Sequence, residues 1–404
     1  MKMNDNGSLL ERCVVNTNDK ENSFTGIHKI DKEQRYEIRF PLCFRLSNTE
    51  SGLRRDILCL IHVLAKFLDE KDSSFYGNGY EFVSTKLPVQ AYLYIIRNYF
   101  EKGYYVERQS VVEIAKRGKI DWRKTIKTER PIVNEEDVVF LNFAVKNKRI
   151  CENELITIIH KYCVHESFEK FGWLFTTMIP PKPEYSVSIR QMRLEVEKKL
   201  QETYDDNDRK LFESMLQIIC TLSDKQDISL VYGTNRFEYV WERMVDYTFG
   251  ISAKARFFPN THWELKNHAV VDNSKLEPDS IMMFQGNVYV LDAKYYKYGY
   301  TWNPKHLPGT TSISKQITYG EYIATLEEYQ DSHVYNAFIM PYSGNEICCI
   351  GSATSDWKFK KNSYETIVGI LIDITDLMKN SIRLDSGKIA ELAMAIRVEV
   401  EEKE

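Results

Sequence analysis

The sequence predicts an α/β (α+β) fold, and three observations lead to that class. Segments with the helical spacing of apolar residues, such as DILCLIHVLAKFL at Asp56–Leu68, alternate along the chain with short strand-like segments. Leu276–Tyr296 has the pattern of two apolar strands joined by a turn. Hydrophobic residues make up 43% of the 404 residues, which is ordinary for a globular protein of two or three domains.

Composition excludes several classes of protein. The eight cysteines have no regular spacing and no signal peptide is evident, so we expect free thiols in a reducing cytoplasm. No stretch approaches the roughly 18–20 uninterrupted apolar residues of a membrane span. The formal net charge of −4 argues against indiscriminate nucleic-acid binding, so contact with DNA requires local basic patches.

The N-terminal half predicts a mixed α+β domain behind a flexible tail. Residues 1–26 are rich in Asn, Asp, Ser and Thr, which is typical of mobile chain. A strand and two helices are expected after it, at Tyr36–Leu46, Asp56–Leu68 and Gln90–Phe100. The proline run Pro180–Pro183 is the best linker in the chain. We therefore predict a DNA- or partner-binding domain over 27–180 and a second domain over 187–404.

The most basic segment is Lys116–Arg130, KRGKIDWRKTIKTER. The residues that we assign to binding DNA or a partner are Lys116, Arg117, Lys119, Trp122, Arg123, Lys124 and Lys127. The alternative is a solvated basic face with Trp122 packed inward. The sequence leaves the two interpretations open.

Helices and strands alternate in the C-terminal half. The expected helices are Val187–Leu222 with a break near Asp205–Asp208, Arg236–Phe249, Ser314–Tyr329 and Ser386–Glu402. Strands are expected at Ala255–Phe258, in the hairpin, and at Val334–Met340, Glu346–Ser352 and Thr366–Ile372. Helix Arg236–Phe249 has one apolar side and carries Glu238 and Glu242 one turn apart.

The hairpin Leu276–Tyr296 carries charged residues on an otherwise apolar surface. A two-residue turn at Gly286-Asn287 places Asp279 opposite Lys294, with Asp292 on the same face. The two aspartates are then diagonal neighbours about 7–8 Å apart at the backbone. One interpretation is an Asp279–Lys294 ion pair with Asp292 in water. The other is a hard-cation site with both aspartates as ligands and Lys294 beside the nucleophilic water.

Pro278-Asp279 followed by Asp292-Ala293-Lys294 resembles the signature of the PD-(D/E)xK nucleases. The resemblance implies a restriction-endonuclease-like αβββαβ core over Arg236–Met340. It implies Mg²⁺, with Mn²⁺ as a substitute, held by Asp279, Asp292 and a glutamate of the preceding helix, for which we choose Glu238. It also implies that Lys294 and Gln316 act in catalysis and that Tyr319 lies near the scissile phosphate.

The segments FEYVWERM, LEPDSI, LDAKYY and RGKIDWRKTIK resemble a narrower group, the McrC-like nucleases and the LlaJI-type restriction nuclease subunits, over residues 36–375. The resemblance implies a type II or McrBC-like (type IV) restriction deoxyribonuclease that cuts double-stranded DNA in phage defence, as a homodimer or a hetero-oligomer with a McrB-like AAA+ GTPase. The chain has no G-x-x-x-x-G-K-[ST] loop, so the motor would be a separate chain. The alternatives are a repair or transposition nuclease of the same superfamily, and a non-cutting DNA-binding or scaffold subunit that activates the GTPase.

Overall fold

The computed structural model describes most of the chain. The described residues are 8–19, 22–30, 35–68, 88–133, 137–151, 154–184, 187–223, 231–266, 270–273, 275–357, 362–381 and 387–403. They form a mixed α/β protein, which confirms the predicted class.

Within these ranges the α-helices are α1 (Glu50–Phe67), α2 (Val89–Lys102), α3 (Trp122–Thr128), α4 (Leu155–Phe171), α5 (Ile189–Glu202), α6 (Asp206–Ser223), α7 (Phe237–Phe249), α8 (Tyr298–Thr301), α9 (Thr310–Ala324), α10 (Ile374–Asn380) and α11 (Gly387–Glu401). The strands are β1 (Cys13–Val15), β2 (Thr25–Ile30), β3 (Arg35–Phe40), β4 (Glu107–Ala115), β5 (Lys119–Ile120), β6 (Ile132–Val133), β7 (Val138–Val139), β8 (Phe143–Cys151), β9 (Val231–Thr234), β10 (His262–Glu264), β11 (Val270–Asp272), β12 (Ser280–Phe284), β13 (Asn287–Ala293), β14 (Val334–Tyr342), β15 (Cys348–Ala353) and β16 (Ile367–Asp373).

Packing divides the chain into two units, and the division differs from the predicted one. One unit combines Met1–Thr85 with Ile228–Glu404, and the other is Lys86–Asp227. Strand pairing explains why the N-terminal segment joins the C-terminal one, because β2 pairs with both β3 and β9. The proline run Pro180–Pro183 lies inside the second unit, between α4 and α5. A proline-rich stretch ends an element wherever it occurs, so it does not by itself mark a domain boundary.

The predicted tail is partly ordered. Residues 1–7 and 20–21 lie outside the described residues. Before residue 27, a 3-10 helix at Leu9–Arg12 leads into β1, which pairs in parallel with β3. The side chain of Asn16 donates a hydrogen bond of 2.7 Å to the buried hydroxyl of Thr25. The polar residues that suggested mobile chain are therefore used in local hydrogen bonds.

The first unit is built around a five-stranded sheet in the order β12-β13-β14-β16-β15. Strands β13, β14 and β16 are parallel to one another, while β12 and β15 are antiparallel edge strands. Helix α9 connects β13 to β14, as a parallel pair requires. The three parallel strands therefore end at the same edge of the sheet, where binding sites in such sheets are usually found.

Helices α9 and α7 cover the sheet with their apolar sides. On α9, Tyr319 and Ile323 are fully buried against Ile281 and Val290. On α7, the side predicted to be apolar is buried, and it comprises Phe237, Val240, Trp241, Met244 and Val245. The charged side chains of α7 are partly buried.

One predicted strand before the hairpin is wrong. Ala255–Phe257 is a 3-10 helix, closed by a hydrogen bond from the Phe257 amide to the Lys254 carbonyl. Phe257 is fully buried and packs against the ring of Tyr329. A buried phenylalanine gives this short segment the apolar composition that suggests a strand. Four residues are too few to show whether the apolar positions have the period of two that a strand requires. Among the described residues between α7 and the hairpin, strands β10 and β11 pair only with each other, so the first strand of the predicted αβββαβ core is not at Ala255–Phe258.

The second unit contains the sheet β4-β8-β5 and the two-stranded hairpin β6-β7. Its described helices are α2, α3, α4, α5 and α6, and the gap between α5 and α6 confirms the break predicted near Asp205–Asp208. Among the described residues of the chain, no helix combines the length and apolar character that crossing a bilayer requires.

Candidate active site

The turn of the hairpin sets the positions of the aspartates. It lies at Gln285-Gly286, where both residues have positive φ angles, 49° and 79°. This is the geometry of a type I′ turn, which matches the twist of the flanking strands. The predicted turn at Gly286-Asn287 is therefore wrong by one residue. Asn287 belongs to β13, and its side chain accepts a hydrogen bond from the amide of His333.

The register changes with the turn. Ser280 pairs with Leu291 and Phe284 with Asn287. Continued by one pair, this register places Asp279 opposite Asp292, not opposite Lys294 as predicted. The difference of two residues leaves every side chain on its predicted face, because strand side chains alternate. Asp279, Asp292 and Lys294 therefore still converge, in a different arrangement.

Short polar contacts fix the three side chains. The Asp279 carboxylate accepts a hydrogen bond of 2.8 Å from the Ala293 amide. Asp292, only 4% exposed, forms an ion pair of 2.6 Å with Lys294. The pair therefore joins Lys294 to the aspartate of its own strand, so the Asp279–Lys294 pair of the first interpretation is not what forms.

Electrostatics at the site are dominated by carboxylates. The pKa of Asp279 is raised to about 7, first by burial and then by the charges of Asp292 and Glu242. The pKa of Glu242 is also raised to about 7, by burial and by Glu238 and Asp292. The charge of Lys294 lowers the pKa of both carboxyl groups, but both pKa values remain raised. Repulsion among carboxylates around one ammonium group indicates a site with a deficit of positive charge.

The same carboxylates raise the pKa of Lys294. Burial alone would lower it, but the charges of Asp292 and Asp279 and the hydrogen bond to Asp292 raise it. Lys294 is thus held as an ammonium ion. A protonated lysine cannot serve as a general base, whereas it can neutralise negative charge.

A divalent cation fits this set of oxygen donors in a limited way. Within the described residues, no group of three or more His, Cys, Asp and Glu side chains could hold a metal ion. A cation between Asp279 and Asp292 would have two carboxylate ligands. Mg²⁺ is commonly bound through one or two carboxylates while it keeps several waters. The residues therefore fit Mg²⁺ better than a metal that needs a complete protein cage.

Helix α7 contributes Glu242 rather than Glu238 to this cluster. Glu238 is partly exposed and forms an ion pair of 3.1 Å with Arg236. The charge of Glu238 helps to raise the pKa of Glu242, but Glu238 is not among the groups that shift the pKa of Asp279. Its role as a metal ligand stays a prediction. Spacing placed the two glutamates on one side of the helix, and only packing shows which of them faces the aspartates.

Gln316 and Tyr319 lie on α9, and both are buried. The Gln316 amide donates hydrogen bonds of 2.8 Å to the Val290 carbonyl and 3.3 Å to the Asn336 side chain. Its carbonyl oxygen is buried and has no hydrogen-bond partner in the part of the chain that the structure describes. The Tyr319 ring is in the core, and its hydroxyl donates to the Glu277 carbonyl at 3.0 Å. The Gln316 contact braces β13 and the Tyr319 contact holds the segment before β12, and direct roles in catalysis or DNA contact stay predictions.

Lys315 is a residue of the site that sequence reasoning missed. It is exposed, and its ammonium group lies 5.4 Å from the centre of the Tyr319 ring. Burial opposes its charge, but a hydrogen bond to Tyr319 and the charges of Asp292 and Asp279 raise its pKa overall. The available signal was its position immediately before Gln316. A second lysine therefore faces the two aspartates from α9.

The basic segment of the second unit is exposed to solvent. All seven residues assigned to binding are exposed, including Trp122 at 54%. The Trp122 ring makes edge contacts with Phe140 and Phe143 without being covered, so the inward-packed alternative is wrong. Asp121 caps α3 by accepting from the Lys124 amide and pairs with Lys146 at 3.2 Å. Binding of DNA or a partner by this surface stays a prediction.

Comparison with known proteins identifies the family. A family model described as LlaJI restriction endonuclease matches residues 24–375. The component YdjA of the type II restriction enzyme BsuMI of Bacillus subtilis (strain 168) is 28% identical over 284 residues. That match covers 63% of this chain and 58% of the relative, so the chain spans less than two thirds of the relative's length.

A solved assembly of McrB AAA+ hexamers with bound McrC from Thermococcus gammatolerans is also similar. The match covers 89% of this chain and 81% of the other, with 16% sequence identity and a TM-score of 0.38. A likeness at this level is too distant to support an inference about fold or partner.

Proposed function

The chain belongs to the LlaJI restriction endonuclease family, and from that premise we propose that it is a Mg²⁺-dependent DNA endonuclease subunit of a restriction system. The observation that carries the proposal is the cluster of Asp279, Asp292 and Glu242 around Lys294. Burial, and after it the charges of neighbouring carboxylates, raises the pKa of Asp279 and of Glu242 to about 7. Buried carboxylates that repel one another destabilise the fold, whereas the same group of carboxylates can hold a cation.

We assign the site to a PD-(D/E)xK core. Helix α7, the hairpin β12-β13, helix α9 and strand β14 follow one another in the expected order, although the described strands between α7 and β12, β10 and β11, form a separate two-stranded sheet. The aspartates lie at the end of β12 and β13 that borders the edge where the parallel strands end. In this assignment the phosphodiester would approach the aspartates at that sheet edge.

In the proposed mechanism Asp279 and Asp292 would hold the cation, and Glu242 would act through a water molecule. The cation, when bound, neutralises phosphate charge and lowers the pKa of a coordinated water. Asp292 keeps Lys294 in place through their 2.6 Å ion pair. Lys294 orients the attacking water and stabilises the negative charge that develops on the phosphate oxygens.

Lys315 is proposed to contact a non-bridging oxygen of the scissile phosphate. It lies on α9, and the charges of both aspartates help to raise its pKa. It forms no ion pair with another described residue, so its charge is free to meet a phosphate. Two ammonium groups on either side of the carboxylates would position the substrate between them.

The cutting chain is proposed to act with other subunits. It carries no nucleotide-binding loop of its own. The relative from Bacillus subtilis is named as one component of a type II restriction enzyme. We propose a separate McrB-like AAA+ GTPase as the partner, which would supply the motor that this chain lacks.

A plasmid-cleavage assay tests the proposal. Supercoiled DNA would be incubated with the protein in Mg²⁺, in Ca²⁺ or in EDTA, with and without a candidate GTPase and GTP. We expect nicked or linear product in Mg²⁺ alone of the three conditions, since Ca²⁺ coordinates too loosely to position the attacking water. Stimulation by the GTPase would support the subunit assignment. Cleavage that persists in EDTA, or none under any condition, would reject the nuclease.

A further inference from the structure

The segment that follows Lys294 is unusual in charge for this chain. Between Asp292 and Glu321 there is no acidic residue, although Asp and Glu outnumber Lys and Arg over the whole sequence, 58 to 54. The lysines in that interval are Lys294, Lys297, Lys305 and Lys315. The first and last of these border the carboxylate cluster described above, and the middle two lie in the loop between β13 and α9.

This loop forms one wall of an open cavity of about 350 Å³. The lining residues that bear on the argument are Tyr296, Lys297, Lys305 and His306. Lys297 pairs with Asp19, and the His306 ring is 2.7 Å from the Thr301 hydroxyl. Lys305 is exposed and forms no ion pair with any described residue. One lysine of the cavity is therefore available for an anion.

Aromatic side chains accompany these cations without being buried. Tyr296, Tyr300 and Trp302 are 38%, 57% and 55% exposed. Trp302 also has a φ of +53°, in the left-handed region that bulky residues rarely adopt. Exposed aromatic rings interleaved with lysines commonly bind nucleic-acid strands, because bases stack on the rings and phosphates pair with the ammonium groups.

The cavity adjoins the candidate active site. Tyr296 lines the cavity and is also close enough to Lys294 to affect its charge. The Tyr296 amide donates a 2.8 Å hydrogen bond to the Lys294 carbonyl, so the two residues are held in one tight turn. A ligand in the cavity would lie next to whatever the aspartates hold.

We propose that this cavity binds the nucleotide next to the scissile phosphate. The base stacks on Tyr296, and the phosphate of that nucleotide pairs with Lys305. The proposal rests on the proposed function, since it names the part of the DNA that the same site takes. A free nucleotide has the same chemistry. The hydrogen bond from the Tyr296 amide to the Lys294 carbonyl places the cavity beside the active site, which favours a strand that continues into it.

Binding measurements on three variants test the proposal. Affinity for a fluorescent 20-base-pair duplex and for its single strand would be measured in EDTA over a range of salt. Lys305→Ala is expected to reduce affinity several-fold and to lower the slope of log affinity against log salt by about 0.7–0.9. Tyr296→Leu should weaken binding about tenfold, whereas Tyr296→Phe, which keeps the ring, should stay within about twofold of wild type.

Lys379→Ala is the matched control, because Lys379 on α10 is exposed and has no ion pair with a described residue. An unchanged salt slope in Lys305→Ala, or equal losses in Tyr296→Leu and Tyr296→Phe, would overturn the proposal. Displacement of DNA by micromolar GTP or dGMP would also overturn it and assign the cavity to a free nucleotide. If the wild type binds DNA and these variants do too, only the cavity assignment fails; if the wild type neither binds nor cuts DNA, the proposed function fails.

Discussion

Asp279 and Glu242 are carboxyl groups whose pKa values are raised to about 7 from ordinary values of 3.8 and 4.5. A group whose pKa is higher in the folded state favours folding below its unfolded pKa, and this contribution is lost as pH rises through the folded pKa. The metal-free protein should therefore lose stability between about pH 4 and pH 7. A bound cation requires the ionised carboxylates, so it should restore stability above that window.

We predict that Mg²⁺ raises the melting temperature more at pH 8 than at pH 6. Thermal unfolding in Mg²⁺ and in EDTA at the two pH values measures the difference. In Asp279→Asn, which lacks one titrating ligand, the Mg²⁺ effect should shrink at pH 8. Equal Mg²⁺ shifts at both pH values would show that these carboxyl groups do not hold the ion.

The roles of Glu242 and Glu238 can be distinguished by replacing each of them with glutamine. Glu242→Gln should lower Mg²⁺ affinity and the cleavage rate by about 10- to 100-fold, as loss of a residue that supports a metal ligand does. Glu238→Gln breaks an exposed ion pair with Arg236 and should have little effect. Cleavage rates at several Mg²⁺ concentrations provide the readout. The reverse order of effects would return the role to Glu238.

Lys294 is predicted to be needed at every pH, because its function is charge and not proton transfer. Lys294→Ala should reduce cleavage by at least about 100-fold. Lys294→Arg should recover little, since a planar guanidinium does not replace a compact ammonium group beside Asp292. The pH–rate profile of each variant is the measurement, with Lys379→Ala as control. Wild-type rates in Lys294→Ala would leave the residue as a structural ion-pair partner only.

At the scale of elements, the hairpin turn determines how the aspartates meet. Gly286 has a φ of +79°, and a Cβ atom there would meet no atom within 4 Å. Gly286→Ala should therefore cost about 1–2 kcal/mol of unfolding free energy from the backbone alone. Gln285→Asn should act in the opposite direction by a few tenths of a kcal/mol, because Asn tolerates the left-handed region and favours type I′ turns. Urea denaturation measures both, and equal effects of the same sign would contradict the turn assignment.

Periodicity predicted most elements of the sheet unit, including α7, the hairpin, α9 and the strands of the parallel sheet. It failed where one buried ring decided the structure, as in the 3-10 helix at Ala255–Phe257. It also failed by one residue at the turn, because Gln285 in the left-handed region is uncommon and Gly286-Asn287 is equally plausible from composition. Register depends on the turn, so the facing pairs were shifted while the faces were not.

Side-chain partners were the least predictable part of the site. The face of the aspartates and Lys294 followed from alternation along the strands. The choice between Glu238 and Glu242 depended on how α7 lies against the sheet, which spacing does not determine. Lys315 had no pattern of its own, since one lysine on a helix is usually solvated. Packing between elements supplied both answers.

At the scale of the whole molecule, the basic surface of the second unit is predicted to assist assembly. Charge reversal at Arg123 and Lys124 should weaken binding of DNA or of the GTPase, because both are exposed on α3. If these side chains bind phosphates, the salt slope should fall by about 0.9 for each positive charge that is removed. If they bind the partner instead, DNA binding should stay normal while stimulation by the GTPase decreases.

The control for that double variant is charge reversal at Arg190 and Lys198, which are exposed on α5 of the same unit. It should leave both DNA binding and GTPase stimulation unchanged. If the α3 variant also behaves like wild type in both assays, the basic segment is only a solvated surface, and the prediction of a binding role for it is withdrawn.

The central claim is that Asp292 holds a catalytic cation, and Asp292→Asn tests it most directly. Plasmid cleavage in Mg²⁺ would be compared with that of Asp331→Asn, which removes an exposed acid before β14. We predict that Asp292→Asn folds, binds DNA in Ca²⁺ like wild type and loses cleavage, because the amide keeps the shape and removes the ligand charge. Asp331→Asn should cut normally. Wild-type cleavage by a folded Asp292→Asn variant would contradict the account.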